Sequence, residues 1–282
     1  MLRNDLVCFG EVLYDVYDTK TVLAGAPLNV ASIGSQIGLR TGLISAISNR
    51  KADSLIVKEL KKRGVMTVLQ RNKHSTGKAI IKLNKDKMPV FKIDDESAFD
   101  YIKYTPHISR MIKRTDYIYF GTLCQRSKLS RYTLFDILKS TDAKVIYDMN
   151  LRESIPGWKA SVMDSIMLAD ILKVNEEELK VLRDMFKCRN VAQFLFTHTK
   201  IKYIFVTKGA KGASVFRKNK LKLSVKSPIV GVIDTTGCGD AFTAAIVAGF
   251  KKKYPAKRIL EYAVKVASET ARHKGAFKRR KD

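Results

Sequence analysis

The sequence predicts an α/β fold, in which a mostly parallel sheet is covered by helices and carries a small β-sheet lid. Apolar, β-rich runs alternate with helical patterns along most of the chain, beginning with LVCFGEVL and then PLNVASIGSQIG. Such repeated strand–helix pairs are typical of parallel sheets with helices on their faces. Two segments, at about 13–25 and about 76–96, break this rhythm and indicate extended strands standing off the main sheet.

The predicted elements follow in a regular order. After the first pair come TGLISAIS with DSLIVKELKKRG, and YIYFGTL with SRYTLFDILKS. Three more strand-like runs, KVIYDMN, ADILKVN and KYIFVTKG, are bounded by turn or capping residues. PIVGVID is predicted to be a strand that ends before the apolar helix AFTAAIVAGF. In the second lid segment, GKAIIKLNKDKMPVFKID alternates like a β-hairpin that turns at residues 84–87.

Length and composition predict one domain over residues 1–282. Hydrophobic residues form 45% of the chain, enough for a large core, and no repeat or Gly/Pro/Ser-rich linker divides it. Its four cysteines lie far apart without a CxxC pair, which argues against a zinc site or a disulfide framework and favours a cytoplasmic protein. Because no apolar run approaches the roughly 18 residues of a membrane span, neither a membrane segment nor a targeting peptide is expected.

The chain is strongly basic. It carries 53 Lys and Arg against 27 Asp and Glu, a formal net charge of +26 that attracts polyanions. The basic residues are spread along the chain, and no aromatic-interleaved stripe or nucleic-acid-binding module accompanies them. We interpret the charge as a solvated, lysine-rich surface, and nucleic acid is not expected to be a partner.

The stretch DTTGCGD, at 234–240, places two glycines and two carboxylates ahead of an apolar helix. The first amides of a helix have no intrahelical partner and lie at its positive end, so Gly237, Cys238 and Gly239 are predicted to cradle an anion. Asp240 could then accept a proton from an attacking hydroxyl, as phosphoryl transfer requires. By spacing alone, a glycine-rich turn with an acidic N-cap region fits equally well. Neither GxGxxG nor GxxxxGK[ST] is present.

Seven motifs in order resemble those of the ribokinase-like (PfkB-type) carbohydrate kinases, and within them the fructokinase-like branch. DTTGCGDAF is similar to the family's DTTGAGDAF, AGAPLNVA to GGAPANVA, GEVLYD to GEVLID and DMNLR to DPNLR. NEEE, TKGAKG and RHKGA match three further motifs, and the resemblance covers nearly the whole chain. It implies a ribokinase-like αβα sandwich with a β-sheet lid, a sugar bound between lid and sheet, and ATP at the carboxyl ends of the strands.

The resemblance assigns roles to individual residues. It makes Asp240 the catalytic base and the amides of 237–239 the anion hole. The implied sugar-binding residues are Asp15, Gly25, Asn29, Asn150 and Arg152. Without the motifs, Asp15 could be an ordinary loop carboxylate, Asn29 a satisfied polar group at a helix start, and Arg152 part of a surface salt bridge.

The resemblance also implies a nucleotide site. Its residues are Asn175, Glu178, Thr207, Gly209 and Gly212. In the family, the Asn-x-x-Glu pair organises Mg²⁺ and its waters around the ATP phosphates, whereas the same spacing is also a capping box that closes a helix without any function. Asp234 matches a ligand of the monovalent cation, K⁺, that many relatives bind.

The resulting prediction is an ATP- and Mg²⁺-dependent kinase that phosphorylates a primary hydroxyl of a sugar, with fructose as the first candidate. The alternatives are another sugar, 2-keto-3-deoxygluconate or a nucleoside as acceptor. A different class of alternative is a catalytically silent protein that senses sugar or docks on nucleic acid. Exposed lid edges often pair between subunits, so a homodimer through the lid is expected.

Overall fold

The computed structural model describes residues 3–83, 89–218, 221–228 and 230–277. Its strands are β1 (Asn4–Phe9), β2 (Leu13–Val16), β3 (Thr21–Ala24), β4 (Thr41–Ser48), β5 (Met66–Asn72), β6 (Gly77–Leu83), β7 (Pro89–Ile93), β8 (Thr115–Gly121), β9 (Lys144–Asp148), β10 (Ile171–Asn175), β11 (Tyr203–Thr207), β12 (Ala213–Arg217) and β13 (Leu221–Val225). Its helices are α1 (Ala26–Gln36), α2 (Ser54–Lys62), α3 (Pro106–Ile112), α4 (Lys128–Lys139), α5 (Trp158–Leu168), α6 (Glu176–Phe186), α7 (Val191–His198), α8 (Cys238–Lys251) and α9 (Ala256–Thr270).

The large sheet has nine strands in the order β13-β12-β11-β10-β9-β8-β1-β4-β5. All neighbouring strands from β11 to β5 pair in parallel, and β12 and β13 continue that edge as antiparallel strands. Every residue of β1 and β4 is buried, as expected for central strands covered on both faces. The prediction of a mostly parallel central sheet is confirmed.

Two apolar cores lie on opposite faces of this sheet. One is formed with α1, α2, α8 and α9, and the other with α3 to α7. Helix α8 is buried along nearly its whole length, from Ala241 to Gly249, which explains why AFTAAIVAGF is apolar nearly all round. The predicted αβα layering is confirmed. Among the described residues, no helix combines the length and apolar character that crossing a membrane requires.

A second sheet has four strands in the order β3-β2-β6-β7, so both segments that break the strand–helix rhythm contribute to it. Hairpins β2–β3 and β6–β7 are antiparallel, and β2 pairs with β6 in parallel. The predicted turn at 84–87 lies outside the described residues. Leu13, Ala24 and Ala79 of this sheet pack with buried Phe99, Leu123 and Ile155, so one of its faces is covered.

A buried aspartate joins this smaller sheet to the main domain. Thr76, just before β6, donates from Oγ1 to Asp53 Oδ2 at 2.6 Å, and Tyr14 Oη donates to Asp53 Oδ1 at 3.3 Å. Thr76 Oγ1 also accepts the amide of Ser48 at the end of β4, at 3.0 Å. The loop SNRKAD, residues 48–53, contains this aspartate and therefore has a structural role at the base of the smaller sheet.

The prediction of a strand at PIVGVID is wrong. In its described residues, which exclude 229, the segment is irregular, and Val232 and Ile233 are about 60% exposed. The amides of Ile233 and Asp234 both donate to the carbonyl of Ala271, at 2.8 and 3.2 Å. A β-branched, apolar composition suggested a strand, but the backbone donors are satisfied at the end of α9 rather than by a neighbouring strand.

Candidate active site

Helix α8 begins at Cys238, and the residue before it, Gly237, is its N-cap and has a φ of 78°. A Cβ at this position would lie 2.2 Å from Cβ of Ala276, so glycine is required by both backbone conformation and space. Within the described residues, the amides of Gly237 and Gly239 have no acceptor outside the helix, whereas the amide of Cys238 donates to the carbonyl of Thr235 at 3.2 Å. Two of the three predicted cradle amides are therefore available to an anion.

Asp240 lies in the first turn of α8 and is held by Asn29 of α1, whose Nδ2 donates to Asp240 Oδ2 at 2.8 Å. Burial raises the pKa of Asp240 to about 7; the Asn29 hydrogen bond and the charges of Lys173 and Arg152 oppose that rise, and nearby Asp148 adds to it. The fold therefore provides a carboxylate that exchanges a proton near neutral pH.

Sequence reasoning missed a buried ion pair beside this helix start. Lys173 of β10 donates from Nζ to Oδ1 of Asp148 at 3.0 Å, and these residues are register partners on neighbouring parallel strands. Thr243 donates to the other Asp148 oxygen at 3.3 Å. A Cβ on Gly239 would lie 3.3 Å from Lys173 Nζ, so this ammonium group borders the cradle. Charged residues inside the apolar runs ILKVN and KVIYD were the signal that could have revealed the pair.

Glu11 is a second missed acid. It is only 3% exposed, its Oε2 has no hydrogen-bond partner among the described residues, and burial raises its pKa to about 7. The charge of Arg152 lowers this pKa and that of Asp240 raises it, so Glu11 belongs to the same electrostatic cluster. The hydroxyl group of buried Tyr119 also has no hydrogen-bond partner among the described residues. Burial, together with the charges of Asp148, Asp240 and Glu11, raises the pKa of Tyr119.

Two predicted sugar-site residues, Gly25 and Asp15, belong to or adjoin the smaller sheet. Gly25 is the N-cap of α1, and a Cβ there would lie 2.3 Å from the carbonyl oxygen of Glu11. Asp15 of β2 has a pKa raised to about 6 by burial and by the charge of Asp234. Asp15 of the smaller sheet and Asp234 of the loop that precedes α8 therefore act on each other electrostatically.

Asn150 and Arg152 follow β9 at the carboxyl edge of the large sheet. Asn150 has a φ of 33°, an uncommon backbone conformation for a residue other than glycine. The amide of Leu151 donates to Glu178 Oε1 at 2.8 Å, and Arg152 Nη1 donates to the Leu151 carbonyl at 3.0 Å. The charge of Arg152 lowers the pKa of both Asp240 and Glu11, so Arg152 belongs to the electrostatic surroundings of the acid cluster.

Asn175 and Glu178 form the capping box predicted from their spacing. Asn175 Oδ1 accepts the amide of Glu178, and Glu178 Oε2 accepts the amide of Asn175, both at 2.8 Å. With the Leu151 amide on Oε1, both carboxylate oxygens of Glu178 are engaged by the backbone. No cluster of three or more His, Cys, Asp or Glu able to hold a metal exists in the described ranges.

A cavity of about 580 Å³ opens beside the start of α8. Thr207, Gly209 and Gly212 line one side of it, and Cys238 and Gly239 line the other. The predicted nucleotide-site residues from β11 and its turn thus share one cavity with the helix start. Its volume is within the range of small-molecule sites. Burial, with the charges of Asp234 and Asp240, raises the pKa of Cys238 to about 11, so its thiol stays protonated at neutral pH and is not an activated nucleophile.

Asp234, the predicted cation ligand, is engaged by the backbone. Its Oδ1 accepts the amide of Thr236 at 2.9 Å and its Oδ2 accepts that of Gly275 at 2.8 Å. Although partial burial acts the other way, these amides hold the pKa of Asp234 below its ordinary value. The side chain fixes the loop before α8 against the segment after α9.

Comparison with known proteins agrees with this architecture. The pfkB family carbohydrate kinase profile matches residues 3–279. A putative sugar kinase of Pyrococcus horikoshii is 29% identical over 269 residues, covering 88% of this chain and 83% of the relative. Probable fructokinase-5 of Arabidopsis thaliana is 28% identical over 271 residues, with the same coverage of 88% and 83%.

Solved structures give the same result. The crystal structure of the Pyrococcus horikoshii sugar kinase in complex with ATP superimposes with a TM-score of 0.82 at 26% identity, covering 96% of this chain and 93% of that one. Fold, helix start and family profile together define a carbohydrate kinase. The chain belongs to the pfkB family of carbohydrate kinases.

Proposed function

We propose that this protein transfers the γ-phosphate of ATP to a primary hydroxyl of a sugar, with fructose as the preferred acceptor. The observation that carries the proposal is the start of α8, where Asp240 is held by Asn29 beside the available amides of Gly237 and Gly239. The base and the anion cradle share one helical turn, and Cys238 and Gly239 of that turn line a cavity of about 580 Å³. An in-line phosphoryl transfer requires such a base beside a site for the transferred group.

In the proposed reaction, Asp240 accepts the proton of the attacking hydroxyl. The sugar oxygen forms a bond to the γ-phosphorus while the bond from that phosphorus to the β–γ bridging oxygen breaks, and ADP leaves. A pKa of about 7 makes Asp240 a stronger base than an ordinary aspartate while leaving much of it ionised at neutral pH. The hydroxyl becomes more acidic as its oxygen bonds to phosphorus, so the proton moves late.

Charge on the transferred group would be stabilised from two sides. The amides of Gly237 and Gly239 have no acceptor among the described residues, and the Lys173 ammonium group borders the cradle. The Arg152 guanidinium group, whose charge lowers the pKa of Asp240, is the second cation we assign to the phosphoryl group. Because Lys173 is already bonded to Asp148, it is fixed before substrate arrives.

We assign the acceptor to the space between the smaller sheet and the acid cluster. Asp15 and Asn29 supply carboxylate and amide groups for sugar hydroxyls, and Gly25 leaves room for the ring. Asn150, just after the carboxyl end of β9, is assigned to the same site. Fructose is favoured by the likeness to a probable fructokinase of Arabidopsis thaliana. The acidic border of this space suits a neutral acceptor better than an acidic one such as 2-keto-3-deoxygluconate.

We assign ATP to the cavity lined by Thr207, Gly209 and Gly212, consistent with the ATP complex of the Pyrococcus horikoshii relative. Mg²⁺ bound to its phosphates would neutralise their charge. Since both Glu178 oxygens accept backbone amides, Asn175 and Glu178 would serve that ion through water and by fixing the strand end. Both carboxylate oxygens of Asp234 also accept backbone amides, so we assign Asp234 to positioning its loop. Activation by K⁺ would then require backbone carbonyls as the ligands.

The proposal is tested by measuring ADP release with ATP and Mg²⁺ against a panel of fructose, glucose, ribose, 2-keto-3-deoxygluconate and a nucleoside, with and without K⁺. Fructose should give the highest kcat/KM, and ³¹P and ¹³C NMR of the product should show a phosphate ester on a primary carbon. A higher kcat/KM with 2-keto-3-deoxygluconate or with the nucleoside would make that compound the acceptor in place of fructose, and no turnover of any acceptor would support a silent sensor.

We also propose a homodimer that forms through the smaller sheet. Sedimentation equilibrium tests it, and a concentration-independent monomer mass would refute it.

A further inference from the structure

A second cavity, of about 370 Å³, lies on the other face of the large sheet. Val206 and Phe216 on its floor pack with the core formed by α3 to α7, whereas Phe242 and Val264 of the proposed nucleotide cavity belong to the opposite core. The two cavities are therefore separated by the sheet itself. Neither the family resemblance nor the proposed reaction uses the second one.

This cavity concentrates positive charge. Five of its ten lining residues are basic, compared with 53 Lys and Arg among 282 residues in the whole chain. These cations are contributed by α6, by the turn after β11 and by β13: Lys180, Arg183, Lys208, Lys211 and Lys222. Side chains from three separate elements thus converge on one concave surface, which an evenly distributed positive charge does not explain.

Most of this charge is not compensated by the protein. Lys180 pairs with Glu177 at 3.0 Å, but within the described ranges Arg183, Lys208, Lys211 and Lys222 form no ion pair. Glu176 is the remaining carboxylate of the lining, which leaves a net charge of about +3 there (five cations minus two carboxylates). Like charges brought together repel one another unless an anion neutralises them.

The cavity also has an apolar part. Leu179, Val206 and Phe216 contribute apolar side chains, and Lys222 Nζ lies 5.6 Å from the Phe216 ring centroid. Lysine ammonium groups bind phosphate as point charges, and an arginine can bind it with two parallel hydrogen bonds. Cations above an apolar floor suit a molecule that combines several phosphate charges with a small uncharged body.

We propose that this cavity is a second anion-binding site, specific for a compact molecule bearing two or more linked phosphates. The small volume of about 370 Å³ favours a small anion over nucleic acid, whose extended backbone needs a long basic surface. The site is formed partly by the turn TKGAKG, in which Thr207, Gly209 and Gly212 face the first cavity while Lys208 and Lys211 face the second. This proposal does not depend on whether the protein phosphorylates fructose.

The test uses tripolyphosphate as the probe and isothermal titration calorimetry of the full chain in Mg²⁺-free buffer at physiological salt. The cavity variant is Lys208→Gln/Lys211→Gln/Lys222→Gln. The control variant, Lys58→Gln/Lys61→Gln/Lys62→Gln, removes the same charge from exposed positions of α2 that line neither cavity. Circular dichroism and thermal unfolding establish that both variants are folded.

The expected result is that the cavity variant loses one tripolyphosphate site, or binds it about tenfold or more weakly, while the control variant matches the wild type. Equal weakening in both variants would show a diffuse charge effect and overturn the proposal, as would unchanged binding in the cavity variant. An RNA oligomer that binds more tightly than tripolyphosphate at the same salt, with the same dependence on the three lysines, would overturn the assignment to a compact anion.

Discussion

Asn29 and Asp240, which lie 211 residues apart in the chain, are joined by a hydrogen bond of 2.8 Å from Nδ2 to Oδ2. The bond links the first turn of α8 to the first turn of α1, whose N-cap Gly25 directly follows β3 of the smaller sheet. The proposed base is therefore held by the helix that follows the proposed lid. This geometry leads to predictions about pH dependence and about the residues that support the helix start.

The first prediction concerns Asn29→Leu. Its amide favours the carboxylate form of Asp240, so its loss should raise the pKa of Asp240 above about 7. The acid limb of the kcat/KM profile should move to higher pH, and kcat at neutral pH should fall on the order of ten- to a hundredfold. Initial rates at several pH values measure both effects, and an unshifted acid limb would disagree with the role given to Asn29.

The second prediction concerns the buried acid Glu11. Its pKa is about 7 in the folded state against an ordinary value of 4.5, so the folded state keeps a proton that the unfolded state releases in between. The free energy of unfolding should therefore decrease as pH rises from about 4.5 to about 7, by up to about 3 kcal/mol at about 1.4 kcal/mol per pKa unit.

Glu11→Gln should abolish this loss. Urea unfolding at pH values below and above that window should show the variant gaining stability relative to the wild type at the higher pH. Glu261→Gln, at an exposed position of α9, is the matched control and should leave the pH dependence unchanged. Parallel behaviour of Glu11→Gln and the wild type at both pH values would contradict the prediction.

The third prediction concerns the buried pair of Lys173 and Asp148. Lys173→Met leaves the Asp148 carboxylate buried without its cation, which should cost about 3–5 kcal/mol of unfolding free energy. Adding Asp148→Asn removes the isolated charge, so the double variant should recover part of that loss. Urea unfolding of the two single variants and the double variant tests this, and simple additivity would show that the pair is not coupled.

The fourth prediction compares Gly237→Ala with Gly157→Ala. Both glycines are helix N-caps with φ near 70–80°, and both substitutions incur a left-handed backbone strain of about 1 kcal/mol. Only at Gly237 would the new methyl group meet Ala276, because nothing lies within 4 Å of a Cβ at Gly157. The clash at Gly237 should displace the cradle amides, so Gly237→Ala should lower kcat by about a hundredfold or more, comparable to removing a donor, and Gly157→Ala by less than about threefold. A similar decrease in kcat for both variants would contradict a catalytic role for the cradle at Gly237.

The elements and the start of α8 could be predicted from sequence because they depend on local patterning. Strand and helix periodicities are read within one segment, and the glycines of DTTGCGD mark the helix start at Gly237. The capping box of Asn175 and Glu178 was likewise local, and the structure contains both of its hydrogen bonds. The prediction of a strand at PIVGVID was wrong because the local composition suits a sheet, whereas the amides of Ile233 and Asp234 donate to the carbonyl of Ala271.

The acid cluster could not be predicted because it depends on register between distant strands. Lys173 and Asp148 are adjacent only because β9 and β10 pair in parallel at those residues. Glu11 follows β1, and its relation to Asp240 depends on how α1 and α8 pack together. In a single sequence, each of these residues is an isolated charge beside apolar neighbours, and only the folded chain shows which charges meet.

The most direct test of the central claim compares phosphoryl transfer and nucleotide binding in Asp240→Asn. If Asp240 is the base, kcat with the preferred sugar should fall by about a hundred- to ten-thousandfold, while the Kd for ATP measured by calorimetry should stay within about threefold of the wild-type value. A variant that transfers phosphate at the wild-type rate would contradict the account.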